Sequence, residues 1–182
     1  MRRAHRSRTT RETHIRATLN LDGSGATRVT LPDRWVKHMV ESLAKFGRFD
    51  LTLRADGDLK HHRIEDVALT LGRAFRDAMA DRPVRRVGSA HVAMDEALVL
   101  VTVDLVDRPF VDVTLPDEML EHFLRSFAHE ARITLHNVVM KGRNPHHINE
   151  ATFKALGMAL HEATRPAAAL VSTKGRVRTR KR

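Results

Sequence analysis

The sequence predicts an α+β protein built from two similar halves in tandem, with helices packed against sheets. Three observations carry this. VTLPD occurs at 29–33 and again at 113–117, and at that same offset His38 meets His122, Ser42 meets Ser126 and Ala44 meets Ala128. Two unusual clusters, GDLKHHRIED at 57–66 and GRNPHHINEA at 142–151, each place a glycine ahead of a His-His-x-x-Glu run. Beyond each cluster the spacing is kept again, to Gly72 and Ala74 in one copy and to Gly157 and Ala159 in the other. A repeat on this scale organises the chain before any single element does.

The elements follow in order. MRRAHRSRTTR, at 1–11, is highly basic and reads as a solvated extension. ATLNLDGSG and ATRVTL alternate in polarity around an Asp-Gly pair, which predicts a hairpin. DRWVKHMVESLAKFG opens on aspartate, closes on glycine and spaces Trp35, Val36, Met39, Val40 and Leu43 as one face of a helix. RFDLTLRADG predicts a strand, and RIEDVALTLGRAFRDAM a helix with Ile64, Val67, Ala68, Leu71 and Phe75 inward. EALVLVTVDLVDRPFVDVTL gives two strands around Arg108-Pro109. DEMLEHFLRSFAHEA, RITLHNVVMKG and NEATFKALGMALHEAT then repeat helix, strand and helix. The expected division is a basic N-terminal tail at 1–11, a first half at 12–95, a second half at 96–171 and a basic C-terminal tail at 172–182.

Composition excludes several classes. Apolar residues at 42% and charged residues at 30% are ordinary for a globular domain of 182 residues. No apolar run approaches the roughly 20 residues that cross a bilayer. The N-terminus lacks the apolar core of a secretory signal, so a cytoplasmic location is expected. With no cysteine there is neither a disulfide framework nor a thiolate metal site. The net charge of +10 is concentrated at the two ends: Arg2, Arg3, Arg6, Arg8 and Arg11, then Lys174, Arg176, Arg178, Arg180, Lys181 and Arg182. The body between them is nearly neutral. Aromatics at 4%, with no tyrosine, leave no stacking platform for single-stranded nucleic acid. Neither G-x-G-x-x-G nor a phosphate-loop lysine motif occurs.

The histidines carry the chemistry. In His-His-x-x-Glu the first histidine and the glutamate stand one helical turn apart, about 40° around the axis, and can hold one cation together. The second histidine points about 100° away, toward a second cation. Two such motifs therefore predict two metals, each built from the His-Glu of one motif and the second histidine of a partner motif. Mixed imidazole and carboxylate ligation suits Mn, Fe, Co, Ni or Zn rather than Ca or Mg. Without a metal, four apposed imidazoles and two carboxylates at half-buried helix starts would carry an uncompensated desolvation cost.

GRNPHHINEATFKALGMAL resembles the signature of the imidazoleglycerol-phosphate dehydratase family of histidine biosynthesis. RTTRETHI at Arg8–Ile15 is similar to that family's R-x-T-x-E-T, Lys37-His38-Met39 to its DHM segment, and His61–Asp66 to its HHTxED. RRVGSAHVAMDEAL, VDLVDRPF and STKG at 172–175 extend the likeness over nearly the whole chain. The resemblance implies a duplicated α+β fold with helices sandwiched between two sheets, of the ribosomal protein S5 domain 2-like type. It implies two Mn²⁺ ions per active site, one on His38, His62, His146 and Glu150 and the other on His61, Glu65, His122 and His147. It implies Glu12 as the proton-transferring carboxylate, with Arg86, Arg108, Ser172 and Lys174 on the phosphate of a small phosphorylated imidazole substrate. It also implies self-association through trimers into a 24-mer, with sites shared between subunits.

Some positions depart from the family pattern. Lys37 replaces an aspartate beside a ligand histidine, Phe46 replaces a histidine of the substrate loop, and the approach to His61 and the stretch from Arg108 to His122 are shortened. The expected activity is conversion of D-erythro-imidazole glycerol phosphate to imidazole acetol phosphate. These departures keep open a divergent dimetal-binding homologue with altered or lost catalysis. The terminal arginines keep open a nucleic-acid binder acting through its tails.

Overall fold

The computed structural model describes residues 1–80, 82–169, 171–173 and 175. Its elements run β1 (Arg3–Thr9), β2 (Thr13–Asn20), β3 (Thr27–Thr30), α1 (Arg34–Phe46), β4 (Asp50–Gly57) and α2 (Lys60–Met79). The same order then recurs as β5 (Val87–Met94), β6 (Ala97–Asp104), β7 (Phe110–Asp112), α3 (Glu118–Ala131), β8 (Thr134–Lys141) and α4 (Pro145–Ala163). The first sheet is ordered β1-β2-β4-β3 and the second β5-β6-β8-β7. In each, one strand pair is parallel (β3 with β4, β7 with β8) and the others are antiparallel. The duplication is therefore a repeat of topology as well as of sequence.

The helices lie between the sheets. Helix α2 packs on β1, β2 and β4 and, across the molecule, on α3 of the other half; α4 packs on β5 and β6 and on α1. Each half thus lends a helix to the other. The glycines of the repeat permit these crossings. A Cβ on Gly72 would stand 2.4 Å from the Phe127 carbonyl oxygen, and one on Gly157 2.4 Å from that of Leu43, far inside ordinary C···O contact. The matching proline-aspartate pairs explain the VTLPD repeat: Asp33 caps α1 through the Val36 amide, and Asp117 caps α3 through those of Met119 and Leu120. Every apolar residue expected on the inward face of α2 is buried. Among the described residues no helix is long and apolar enough to cross a membrane.

Three expectations are corrected. Residues 1–11 are not a solvated tail: Arg3–Thr9 form an edge strand paired with β2 from Thr9↔His14 to Arg3↔Asn20. Their arginines are used as ion-pair partners, Arg2 with Asp22, Arg6 with Asp77 and Arg8 with Asp66. The hairpin around Asp22-Gly23 does not form either, because β4 lies between β2 and β3. Asp22 is held by the Arg2 amide and guanidinium, and Asp50 at the start of β4 accepts the amides of Ser24 (2.9 Å) and Ala26 (3.1 Å). The loop is thereby led across to the far side of β4. Finally, the halves do not divide at 95/96, since β5 pairs with β6 and that position falls inside their turn. The C-terminal tail lies mostly outside the described residues.

Candidate active site

Each helix crossing assembles one cluster. Where α1 meets α4, His38 Nε2 and His146 Nε2 each lie 3.1 Å from the same oxygen, Glu150 Oε2. Where α2 meets α3, His61 Nε2 is 3.8 Å from Glu65 Oε2 and His122 Nε2 is 3.6 Å from Glu65 Oε1. The rings of His61 and His122 are stacked at 5.1 Å. These ligand atoms of His61, Glu65 and His122 all fall within 4.8 Å of one another, a grouping able to hold a metal ion. Both triads consist of the first histidine and glutamate of one motif plus the helix histidine of the other half. Sequence spacing alone had paired the His-Glu with the second histidine of a partner motif, a grouping that neither triad shows within the chain.

The second histidines turn away from their neighbours, their rings nearly perpendicular at 82° and 89°, as their angular offset on a helix requires. His62 Nδ1 meets Asp58 Oδ1 at 3.0 Å and Glu12 Oε2 at 3.5 Å. His147 Nδ1 meets Glu96 Oε2 at 2.6 Å, while its Nε2 lies 3.4 Å from Asp95 Oδ2. Asp58 raises the His62 pKa by its hydrogen bond, against a smaller opposing effect of burial. Glu96 is held down to about 2 by the Asn144 amide first, then by His147 and the Arg143 amide.

The two triads differ in their surroundings. Glu150 is buried, at 6% exposure, whereas the side chain of Glu65 is 39% exposed. Burial pushes the Glu150 carboxyl up, but hydrogen bonds from Lys154 and His38 prevail and lower its pKa. Lys154 Nζ takes Oε1 at 2.8 Å, so Oε2 alone faces the two imidazoles. Trp35 walls this triad, 4.7 Å from the His146 ring, with its indole N–H donating to Asp117. In the other triad His122 Nε2 is buried and has no hydrogen-bond partner.

Glu12 occupies the turn between β1 and β2. The Thr10 hydroxyl accepts the amides of Glu12 (3.1 Å) and Thr13 (3.0 Å), closing a side-chain-stabilised turn. Arg8 and Thr13 both bond to the buried carboxylate of Asp66 on α2. In the R-x-T-x-E-T segment, Arg8 and Thr13 thus fix the turn to the helix that carries His62, while Thr10 closes the turn itself.

Of the expected phosphate residues, Arg86, Arg108 and Ser172 fall among the described residues. Arg86, at a left-handed φ of 75°, forks onto Asp104 (2.7 and 2.9 Å) and donates to the Val171 carbonyl at 3.0 Å. This brings it beside Ser172. Arg108 is exposed. Among the described residues neither arginine hydrogen-bonds or ion-pairs with a triad histidine. Lys174 lies outside the described residues. Lys37 pairs with Glu41 one turn along its helix (3.8 Å), so the charge reversal points away from His38's carboxylate partner. Phe46 receives Lys154 over its ring at 5.3 Å. Sequence reading missed Trp35, Asp58, Glu96 and Lys154; Lys154 was accessible as the residue one turn beyond Glu150 and Asp58 as the residue four before His62, the others only through tertiary contact.

Fold and clusters define a duplicated α+β protein with two histidine–carboxylate triads set at its helix crossings. Residues 33–160 match the family model described as imidazoleglycerol-phosphate dehydratase. The chain belongs to the imidazoleglycerol-phosphate dehydratase family. It is 40% identical to the enzyme of that name from Dictyoglomus thermophilum, over 97% of this chain and 100% of the relative. It is 46% identical to that from Desulfitobacterium hafniense, over 96% and 98%. The solved Pyrococcus furiosus enzyme is similar with a TM-score of 0.84 at 37% identity, covering 94% of this chain and 100% of that one. The Staphylococcus aureus enzyme gives 0.82 at 27% identity, covering 91% and 99%.

Proposed function

We propose that this chain dehydrates D-erythro-imidazole glycerol phosphate to imidazole acetol phosphate, a step of histidine biosynthesis, with two Mn²⁺ ions at the triads. The observation that carries the metal is the convergence of His38 and His146 Nε2 on one oxygen of Glu150, with His61 and His122 gathered in the same way around the two oxygens of Glu65. The buried His122 Nε2 supports the fit: it has no hydrogen-bond partner and reaches Glu65 Oε1 only at 3.6 Å, and a cation between them would satisfy both. All the donors are imidazole nitrogens and carboxylate oxygens, a set suited to a first-row transition metal.

Each triad supplies three ligands. His62 and His147 face away from them, which favours completion by the second histidine of another copy: His62 with His38, His146 and Glu150, and His147 with His61, Glu65 and His122. Self-association through trimers into a 24-mer is the assembly this reading expects. Bound there, Mn²⁺ would act as a Lewis acid that stabilises the electron-rich ring formed when a carbon-bound proton leaves. Glu12, with its carboxylate held beside His62, accepts that proton and delivers one to the departing hydroxyl. Arg86, Arg108, Ser172 and Lys174 hold the phosphate, for which planar guanidinium groups are apt. Arg86 then exchanges part of its fork on Asp104 for the substrate.

The test is direct. Chain stripped of metal and reloaded with Mn²⁺ is given imidazole glycerol phosphate, and acetol phosphate formation is followed. Turnover restored by Mn²⁺ and abolished in Glu12→Gln supports the reading. Full metal loading without turnover would favour the divergent homologue instead.

A further inference from the structure

Glu12 and Glu96 are counterparts in the duplication. Each is the last residue before the second strand of its half, and each places a carboxylate on the Nδ1 side of the second histidine in its motif. Their uses have diverged. Glu12 approaches His62 only at 3.5 Å and is 55% exposed, while Asp58 takes the closer contact. Glu96 is fully committed: Oε2 receives His147 Nδ1 at 2.6 Å, and Oε1 receives the amides of Arg143 (3.1 Å) and Asn144 (2.8 Å). Those two amides belong to the loop that enters α4, and Asn144 caps that helix through the His146 amide.

We infer that Glu96 is a positioning residue that locks His147 as the Nδ1–H tautomer, with Nε2, 3.4 Å from both Asp95 Oδ2 and Asn144 Nδ2, left as the metal ligand, and ties it to the start of the helix carrying His146 and Glu150. This rests on the proposed metal reading. A carboxylate suits the task because three N–H donors converge on it and it is acceptor-only on both oxygens. Such partners fix the ring's tautomer and orientation in metal-binding histidines. Glutamine is isosteric but offers a single acceptor oxygen. It can serve either the imidazole or the two amides, and its NH₂ opposes whichever side it faces.

The experiment measures Mn²⁺ binding to full-length wild type and Glu96→Gln by equilibrium dialysis, resolving the two classes of site. The expected result is a roughly 10- to 100-fold loss of affinity at the centre His147 serves, with the other centre unchanged. A parallel readout does not need the variant to fold: in ¹⁵N-histidine-labelled wild type near pH 8, His147 should show a protonated Nδ1 and a bare Nε2. Equal Mn²⁺ affinity at both centres in folded Glu96→Gln, or the opposite tautomer in wild type, overturns the role of Glu96. Wild-type chain that takes up no Mn²⁺ fails the metal reading itself and removes this inference with it.

Discussion

Replacing Gly157 with alanine tests how closely the fold and the site are joined. Helix propensity alone favours alanine in a helix interior by about 1 kcal/mol. The added Cβ, however, would stand 2.4 Å from the Leu43 carbonyl oxygen and 2.8 Å from the Gly47 amide nitrogen, both backbone atoms of α1 and its cap. Ordinary C···O contacts are about 3.3–3.6 Å, so α1 and α4 must separate by about 1 Å. Overpacking of this kind costs ~1–3 kcal/mol, and against the propensity gain of about 1 kcal/mol we expect a net loss of up to about 2 kcal/mol. In a domain of this size that lowers Tm by up to roughly 8 °C. The same movement draws His38, on α1, away from His146 and Glu150, on α4. Metal bonds tolerate displacements of only about 0.2 Å, so Mn²⁺ affinity should fall at that centre and be kept at the one on α2 and α3. Gly72→Ala, 2.4 Å from the Phe127 carbonyl oxygen, should do the reverse. Thermal melts and two-site Mn²⁺ titrations supply the data. A more stable Gly157→Ala protein with both affinities intact would refute the reasoning.

Three further outcomes are expected. Trp35, the single tryptophan, lies 4.7 Å from the His146 ring, so Mn²⁺ should quench its fluorescence; Glu150→Gln should shift that titration and Glu65→Gln leave it nearly unmoved. Asp66→Asn removes the anchor of Arg8 and Thr13, and turnover should drop at least several-fold, in kcat more than KM, while both metals still bind. In metal-free protein the lowered pKa values of Asp50 and Glu121, set chiefly by backbone amides, and of Glu96, set first by the Asn144 amide, mean stability present above the ordinary carboxylate range. Urea midpoints should accordingly fall as pH drops from about 5 toward the folded-state values, about 2 for Glu96.

Helices and the paired histidine and glutamate positions were the legible part of this molecule because both announce themselves locally. The aspartate caps, the apolar faces and the eight repeated imidazole and carboxylate positions are all readable from spacing. Strand β1 was hidden because its partners are backbone groups and distant aspartates, so Arg3–Thr9 lacks any apolar alternation. The order β1-β2-β4-β3 was hidden because Asp22-Gly23 looks like a hairpin turn until Arg2 and Asp50 draw the loop elsewhere. The grouping of ligands depended on which helices cross. That choice is made by Gly72 and Gly157, whose meaning appears only with the helix each one admits.

The central claim is that each triad holds a metal ion completed by a histidine from another copy. Anomalous diffraction at the manganese edge, on crystals of Mn²⁺-loaded protein, addresses it most directly. One peak is expected among His38, His146 and Glu150 with His62 of a neighbouring copy, and one among His61, Glu65 and His122 with a neighbour's His147. Peaks away from both triads, or triads without metal in fully loaded protein, would contradict it.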